Sequence, residues 1–260
     1  MELREWAERI LSADTLEEKL LEPGYWTDET PGSPLFWNEP SRPPSMQFRR
    51  HSRKEVLPSF AELAHPDKRA ICLHRFAGHE LLAVEIMAYA LLAFPQTPRS
   101  FRLGIAYTLK EEQEHVRLYI KRLEALGLKF GDLPLYRHFW NSTPYLKNPV
   151  QYVSVMSLTF EMANLDFAPI YGAHFASHGD SASSQLMTRI LDDEIGHVSF
   201  GWNWLKKWKQ EGEDLWQMWT RALPPKMEIK RARGPQFFAE HRKEAGISED
   251  WIARFTKPLA

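Results

Sequence analysis

The chain has 260 residues, 33 Lys and Arg against 34 Asp and Glu, and a formal net charge of −1. With 43% hydrophobic and 26% charged residues it has the balance of a globular protein, which excludes a disordered, collagen-like or disulfide-stapled chain. A near-neutral chain has no global field to draw it onto nucleic acid or an anionic membrane, and the single cysteine, Cys72, excludes an internal disulfide and a cysteine-based zinc site.

In chain order, residues 1–22 read as one or two short helices, with Asp14-Thr15 as an N-cap. The start carries acids and no apolar run, so no signal peptide is expected, and no stretch of about 18 uncharged apolar residues suggests a membrane span. Residues 23–60 hold Pro23, Pro31, Pro34, Pro40, Pro43, Pro44 and Pro58, a density that excludes long helices and central strands. Trp26, Phe36, Trp37, Phe48 and Phe60 predict an ordered wrapping segment that buries its aromatics. Four long helices follow: Pro66 to Phe94, Pro98 to Leu126 with Gly127 as the stop, Asn148-Pro149 to about His178, and Ser181 to about Gly212. The crossover from Leu128 to Lys147 is expected to carry a short helix around 135–140. The tail, 213–260, reads as short helices broken at Pro224-Pro225 and Gly234-Pro235. No segment shows sustained alternation, so the predicted class is all-α: a four-helix bundle (66–212) with one long crossover, an N-terminal region (1–65) and a helical extension (213–260), forming one structural domain.

The two halves of this bundle repeat each other. His79-Glu80-Leu81-Leu82-Ala83-Val84-Glu85 parallels Phe160-Glu161-Met162-Ala163-Asn164-Leu165-Asp166, and Glu111-Glu112-Gln113-Glu114-His115-Val116 parallels Asp193-Glu194-Ile195-Gly196-His197-Val198. A helix pair has been duplicated. Glu80, Glu112, Glu161 and Glu194 each fall in the apolar stripe of their helix. Glu80, for example, shares its face with Leu73, Phe76, Ala77, Val84 and Met87. Ionised carboxylates facing inward require positive charge nearby. In Glu-x-x-His both side chains lie on one face a turn apart, so each pair reaches a common point. Four carboxylates and two imidazoles balance two divalent metal ions, and an oxygen-rich set with one imidazole per metal favours iron, with manganese as the alternative, over zinc. This is the ligand pattern of ferritin-like di-iron and di-manganese proteins. The predicted metal ligands are therefore Glu80, Glu112, His115, Glu161, Glu194 and His197. A third copy, Glu62-Leu63-Ala64-His65, ends at Pro66 without a partner glutamate upstream and is read as surface.

Leu73-His74, His79-Glu80, Val84-Glu85, Glu111-Glu112-x-x-His115, Glu161-x-Ala163-x-Leu165-Asp166, Asp193 to Val198, Ala232-Arg233-Gly234-Pro235-x-Phe237 and Lys243 to Gly246 together carry a resemblance over nearly the whole chain. The sequence resembles the bacterial family of ferritin-like proteins once catalogued as a domain of unknown function. The resemblance implies the ferritin-like fold and a two-metal centre, and it implies no substrate. In ferritin-like oxygenases the acid before Glu-x-x-His commonly bonds a ligand histidine, which suggests that role for Asp193 and Glu111, with surface charge as the alternative. Tyr119, one turn beyond His115, stands at an offset comparable to the radical tyrosine of the ribonucleotide reductase small subunit; a core tyrosine is the plainer reading. Glu85 and Asp166 lie too far around their helices to join the ligands and are expected to pair with Arg or with helix-end amides.

The expected function is an oxygen-activating oxidoreductase, a hydroxylase or oxidase, using dioxygen, an unidentified small-molecule substrate and an unassigned electron donor. The alternatives are an iron-handling ferroxidase or peroxide-detoxifying protein, an RNA-modifying hydroxylase using the basic runs 49–54 and 226–233, and a non-catalytic metal-binding protein. The expected setting is cytoplasmic, without membrane or nucleic-acid partners and compatible with a homodimer.

Overall fold

A computed structural model describes residues 1–49 and 56–256. Most of the basic run 49–54 lies outside the described residues. Those described are helical with no strand, and the extended contacts are two isolated bridges, Glu2 to Thr27 and Phe48 to Leu135. The chain forms two compact units, Met1–Thr143 and Pro144–Ala260.

In the first unit, α1 (Leu3–Ser12) and α2 (Leu16–Lys19) precede two long helices, α3 (Pro66–Ala93) and α4 (Arg99–Ala125). The Thr15 hydroxyl caps α2 by accepting from the Glu18 amide. Pro66 opens α3, which ends at Phe94 just before Pro95. Gly127, at φ +79°, supplies the left-handed residue that closes α4 after Leu126. The short connection between α3 and α4 makes them an antiparallel hairpin. By length and composition α3 could cross a membrane, yet 94% of its most apolar window is buried inside the protein, as in a core helix. Leu3, Trp6, Ile10 and Leu11 bury the apolar face of α1 against it.

Among its described residues the proline-rich segment has no long helix and carries the short turn Pro44–Met46, with a second short turn, Phe60–Ala64, beginning at its end. Its aromatics do not anchor it in the expected way. Phe48 is buried and Trp26 stacks on Trp6 at 5.4 Å, but Phe36 is 58% exposed and Trp37 and Phe60 are only partly covered. Buried ion pairs hold it instead. Arg42 and Lys19 close on Glu85 of α3 at 2.5 and 3.0 Å, and Arg102 of α4 reaches Asp28 at 2.7 Å. The helix expected around 135–140 is displaced to Trp140–Tyr145. Leu135 is extended because its backbone is engaged with the wrapping segment, accepting from the Arg49 amide at 3.0 Å.

In the second unit, α5 (Pro149–Val155) runs into a six-residue π-helix, Met156–Glu161, and then into α6 (Met162–Ser177). Asn148 caps the start through the Gln151 amide. α7 (Ser181–Trp208) returns alongside α6, capped by Asp180. It stops four residues short of the expected Gly212, because residues 210–213 form a turn closed by the Glu213 side chain on the Gln210 amide. The tail forms α8 (Leu215–Ala222), a short turn at Ile229–Ala232, α9 (Ala239–Glu244) and α10 (Glu249–Thr256). Trp202, Trp219 and Trp251 are buried among Trp216 and Phe255, with ring centroids 4.9–5.7 Å apart. They form the core that docks the tail.

Candidate metal centre

In the first unit Glu80 lies in the middle of α3 and Glu112 and His115 in the middle of α4. All three are buried, and they offer ligand atoms within 4.8 Å of one another. In the second unit Glu161 is the last residue of the π-helix and Glu194 and His197 lie on α7. These three are also buried, and Glu161 and His197 offer atoms within 4.8 Å of each other. Within the two Glu-x-x-His pairs the geometry matches. His115 Nδ1 is 3.3 Å from Glu112 Oε2, and His197 Nδ1 is 3.4 Å from Glu194 Oε2. These spacings exceed the roughly 2.7–2.9 Å of a charge-assisted hydrogen bond. Two donors each about 2.1 Å from one ion, at angles of about 90–110°, would stand about 3.0–3.4 Å apart. The donor set and its spacing therefore fit a divalent metal, and buried carboxylate and histidine groups that could hold one are present.

The other sequence-predicted residues have the following surroundings. Tyr119 is buried, with its ring edge-on to Phe76 at a centroid distance of 6.0 Å. Glu111 is exposed, and Asp193 is partly buried with Arg189 at 3.0 Å on its own helix. The third Glu-x-x-His is at the surface as expected: Glu62 and His65 are exposed, and Glu62 accepts from the Ser59 amide at 2.8 Å. Cys72 is buried, and desolvation pushes its thiol up to about 12, so it is inert. In the basic run 226–233, Arg233 is partly committed to the fold, donating to the Phe255 carbonyl at 2.6 Å.

Glu85 and Asp166 pair as expected, and they do so in matching ways. Each sits five residues beyond a candidate ligand and is fully buried. Glu85 takes Arg42 and Lys19; desolvation lowers the Lys19 ammonium pKa, and the adjacent carboxylate opposes that shift. Asp166 takes Arg242 at 2.7 Å and the Gly234 and Phe238 amides at 2.8 Å each. One acid holds the N-terminal segment to α3 and the other holds the C-terminal tail to α6.

Two features escape the sequence reading. One is Asn164, whose Nδ2 donates to Glu194 Oε1 at 2.6 Å. Its position three residues after Glu161 on the same helical face was the available signal. The other is the π-helix. It opens the backbone ladder at the Ser154 carbonyl, which accepts from Thr159 Oγ1 at 2.7 Å and Trp219 Nε1 at 3.1 Å. Such single-turn π segments are frequent at functional sites, and this one ends on Glu161.

A 202-residue stretch is 26% identical to an uncharacterized protein of Haemophilus influenzae (strain ATCC 51907 / DSM 11121 / KW20 / Rd), covering 73% of this chain and 69% of the relative. No solved structure matches the chain significantly. Residues 3–253 match the family described as "Protein of unknown function (DUF455)", and a match over nearly the whole length shows that the chain belongs to it.

Proposed function

We propose that Glu80, Glu112, His115, Glu161, Glu194 and His197 together hold two divalent metal ions, iron in the first instance and manganese in the second, within a ferritin-like four-helix bundle. We propose further that the protein is an oxygen-activating oxidoreductase acting on a small organic substrate. The observation that carries this reading is the pair of buried Glu-x-x-His motifs with the same Nδ1-to-carboxylate spacing, 3.3 and 3.4 Å, each accompanied by a further buried glutamate. Four carboxylates supply the formal charge that two divalent ions require, and one imidazole per ion makes the set nitrogen-poor and oxygen-rich, as iron and manganese prefer. When bound, a reduced pair of such ions supplies electrons to dioxygen and so the oxidising power for attack on an organic molecule.

The chain's own part is placement and exclusion. Each Glu-x-x-His pair presents its two donors from adjacent turns of one helix. Val116 and Tyr119 on α4, and Val198 on α7, are buried beside the ligands and keep water away from them.

Metal analysis after anaerobic ferrous loading tests the centre, with two ions per chain expected. Glu112→Ala and His197→Ala should each lower the content by about one ion. Less than one equivalent in the wild-type protein, with no change in either variant, would sink the reading. On exposure to air, oxidation limited to the bound iron fits an oxygenase, whereas sustained turnover of added ferrous iron would reassign the same centre to iron handling.

A further inference from the structure

Within the first unit the crossover lies along α3. The Gly131 amide donates to His74 Nε2 at 3.1 Å, and the Arg75 guanidinium stands 4.1 Å from the centre of the Tyr136 ring. Gly78 admits Leu135, whose Cδ2 would lie 2.9 Å from a Cβ at that position. Beside this contact the crossover brings His138 to His79. Their ring centres are 4.7 Å apart and the ring planes cross at 75°. His79 is partly buried and His138 is exposed, so the pair stands at the surface. The chain around His138 is fixed by its neighbours. Arg137 reaches Glu39 and Asn141 at 3.0 Å each, and Trp140 Nε1 donates to the Asn38 carbonyl at 2.9 Å.

We infer that His79 and His138 form a separate surface site for a late divalent metal ion such as zinc, which ties the crossover to α3 when bound. An ion about 2.1 Å from one nitrogen of each ring would lie about 3.2 Å from each ring centre, and ligand angles of about 95–110° would then set the centres about 4.7–5.2 Å apart. The observed separation falls at the near end of that range. Each imidazole gives one nitrogen to the ion and keeps the other for a hydrogen bond, so the site accommodates further contacts to either ring. Two imidazoles with water in the remaining positions suit zinc, nickel or cupric ion, whereas an oxygen-rich set suits iron or manganese. His79 and Glu80 are successive helical residues and point about 100° apart, so His79 does not share the direction of the candidate ligand beside it. The site therefore stands whether or not the two-metal reading does. Its donors come from two elements already held together, and groups set in place beforehand lose little freedom on taking an ion.

Calorimetric titration of the full chain with zinc tests this in the wild-type protein, His79→Phe and His138→Phe. Both substitutions keep a ring and remove its nitrogens. Each variant should bind one equivalent of zinc less than the wild-type protein. Zinc taken up by other groups is common to the three proteins and cancels in the comparison. Hydrogen exchange supplies a second readout that a plain ring contact would not move: zinc should slow the amides of residues 130–139 in the wild-type protein and leave them unchanged in both variants. Melting without zinc checks that each variant is folded, and the exposed position of His138 makes His138→Phe the milder change. Equal zinc uptake by all three proteins overturns the inference. So does an equivalent lost with one histidine and kept with the other, or zinc protection of the crossover that is absent from the wild-type protein or persists in the variants.

Discussion

Two kinds of buried acid occupy the long helices. Glu85 and Asp166 face arginines, whereas Glu112 and Glu194 stand beside histidines. Their environments set their tasks. Arg242 makes a two-pronged contact with Asp166 and also donates to the Met162 and Ala232 carbonyls, so removing the acid would strand a fully buried guanidinium charge. Asp166→Ala should cost about 3–5 kcal/mol in urea denaturation, and adding Arg242→Met should recover much of that loss. His74 offers a second test. It is buried on α3, its Nε2 accepts from the Gly131 amide at 3.1 Å, and burial holds its imidazole at about 4, below the ordinary 6.5. Between those values the unfolded chain takes up a proton that the folded chain refuses. Stability is therefore intact above about pH 6.5 and falls as the pH drops toward 4. Relative to His74→Gln, which keeps an acceptor but does not titrate, the wild-type protein should lose up to about 2 kcal/mol between pH 7 and pH 5 in urea titrations.

Among the elements, the π-helix before Glu161 is the least expected. Prolines, caps and apolar spacing place the helix correctly, but they carry no signal for a local change from i−4 to i−5 bonding. The change is sustained from outside the helix. Trp219 of α8 donates to Ser154 O and lies 3.3 Å from Thr159 Oγ1. Trp219→Phe keeps the ring and loses the donor. It should destabilise the protein by about 1–2 kcal/mol and lower its metal content, measured by melting and by metal analysis. Gly201 of α7 permits a close approach to the same segment, because a Cβ there would lie 2.2 Å from Ser157 Cβ. Gly201→Ala should cost at least about 1–3 kcal/mol, read as a lowered denaturation midpoint.

For the whole molecule, each of the two compact units holds one Glu-x-x-His motif and one further buried glutamate. If the six ligands hold metal, the folded state gains stability by mass action, about 2.7 kcal/mol at an ion concentration 100 times the dissociation constant. Added manganous ion should therefore raise the melting temperature of the wild-type protein, a chelator should reverse the rise, and Glu112→Ala combined with His197→Ala should abolish it.

The sequence by itself determined the helix boundaries at Pro66, Gly127, Asn148-Pro149 and Ser181, because proline, glycine and capping side chains act on the backbone within a few residues. It also determined the inward placement of the four glutamates, through their spacing within each apolar stripe. Tertiary structure alone decided what Glu85 and Asp166 would bind, since their partners Arg42 and Arg242 lie 43 and 76 residues away in sequence. It also decided the extended path at Leu135, the π-turn before Glu161 and the amide placed on Glu194. Each of these depends on a group brought in from a distant part of the chain, and local sequence carries no record of where such a group arrives.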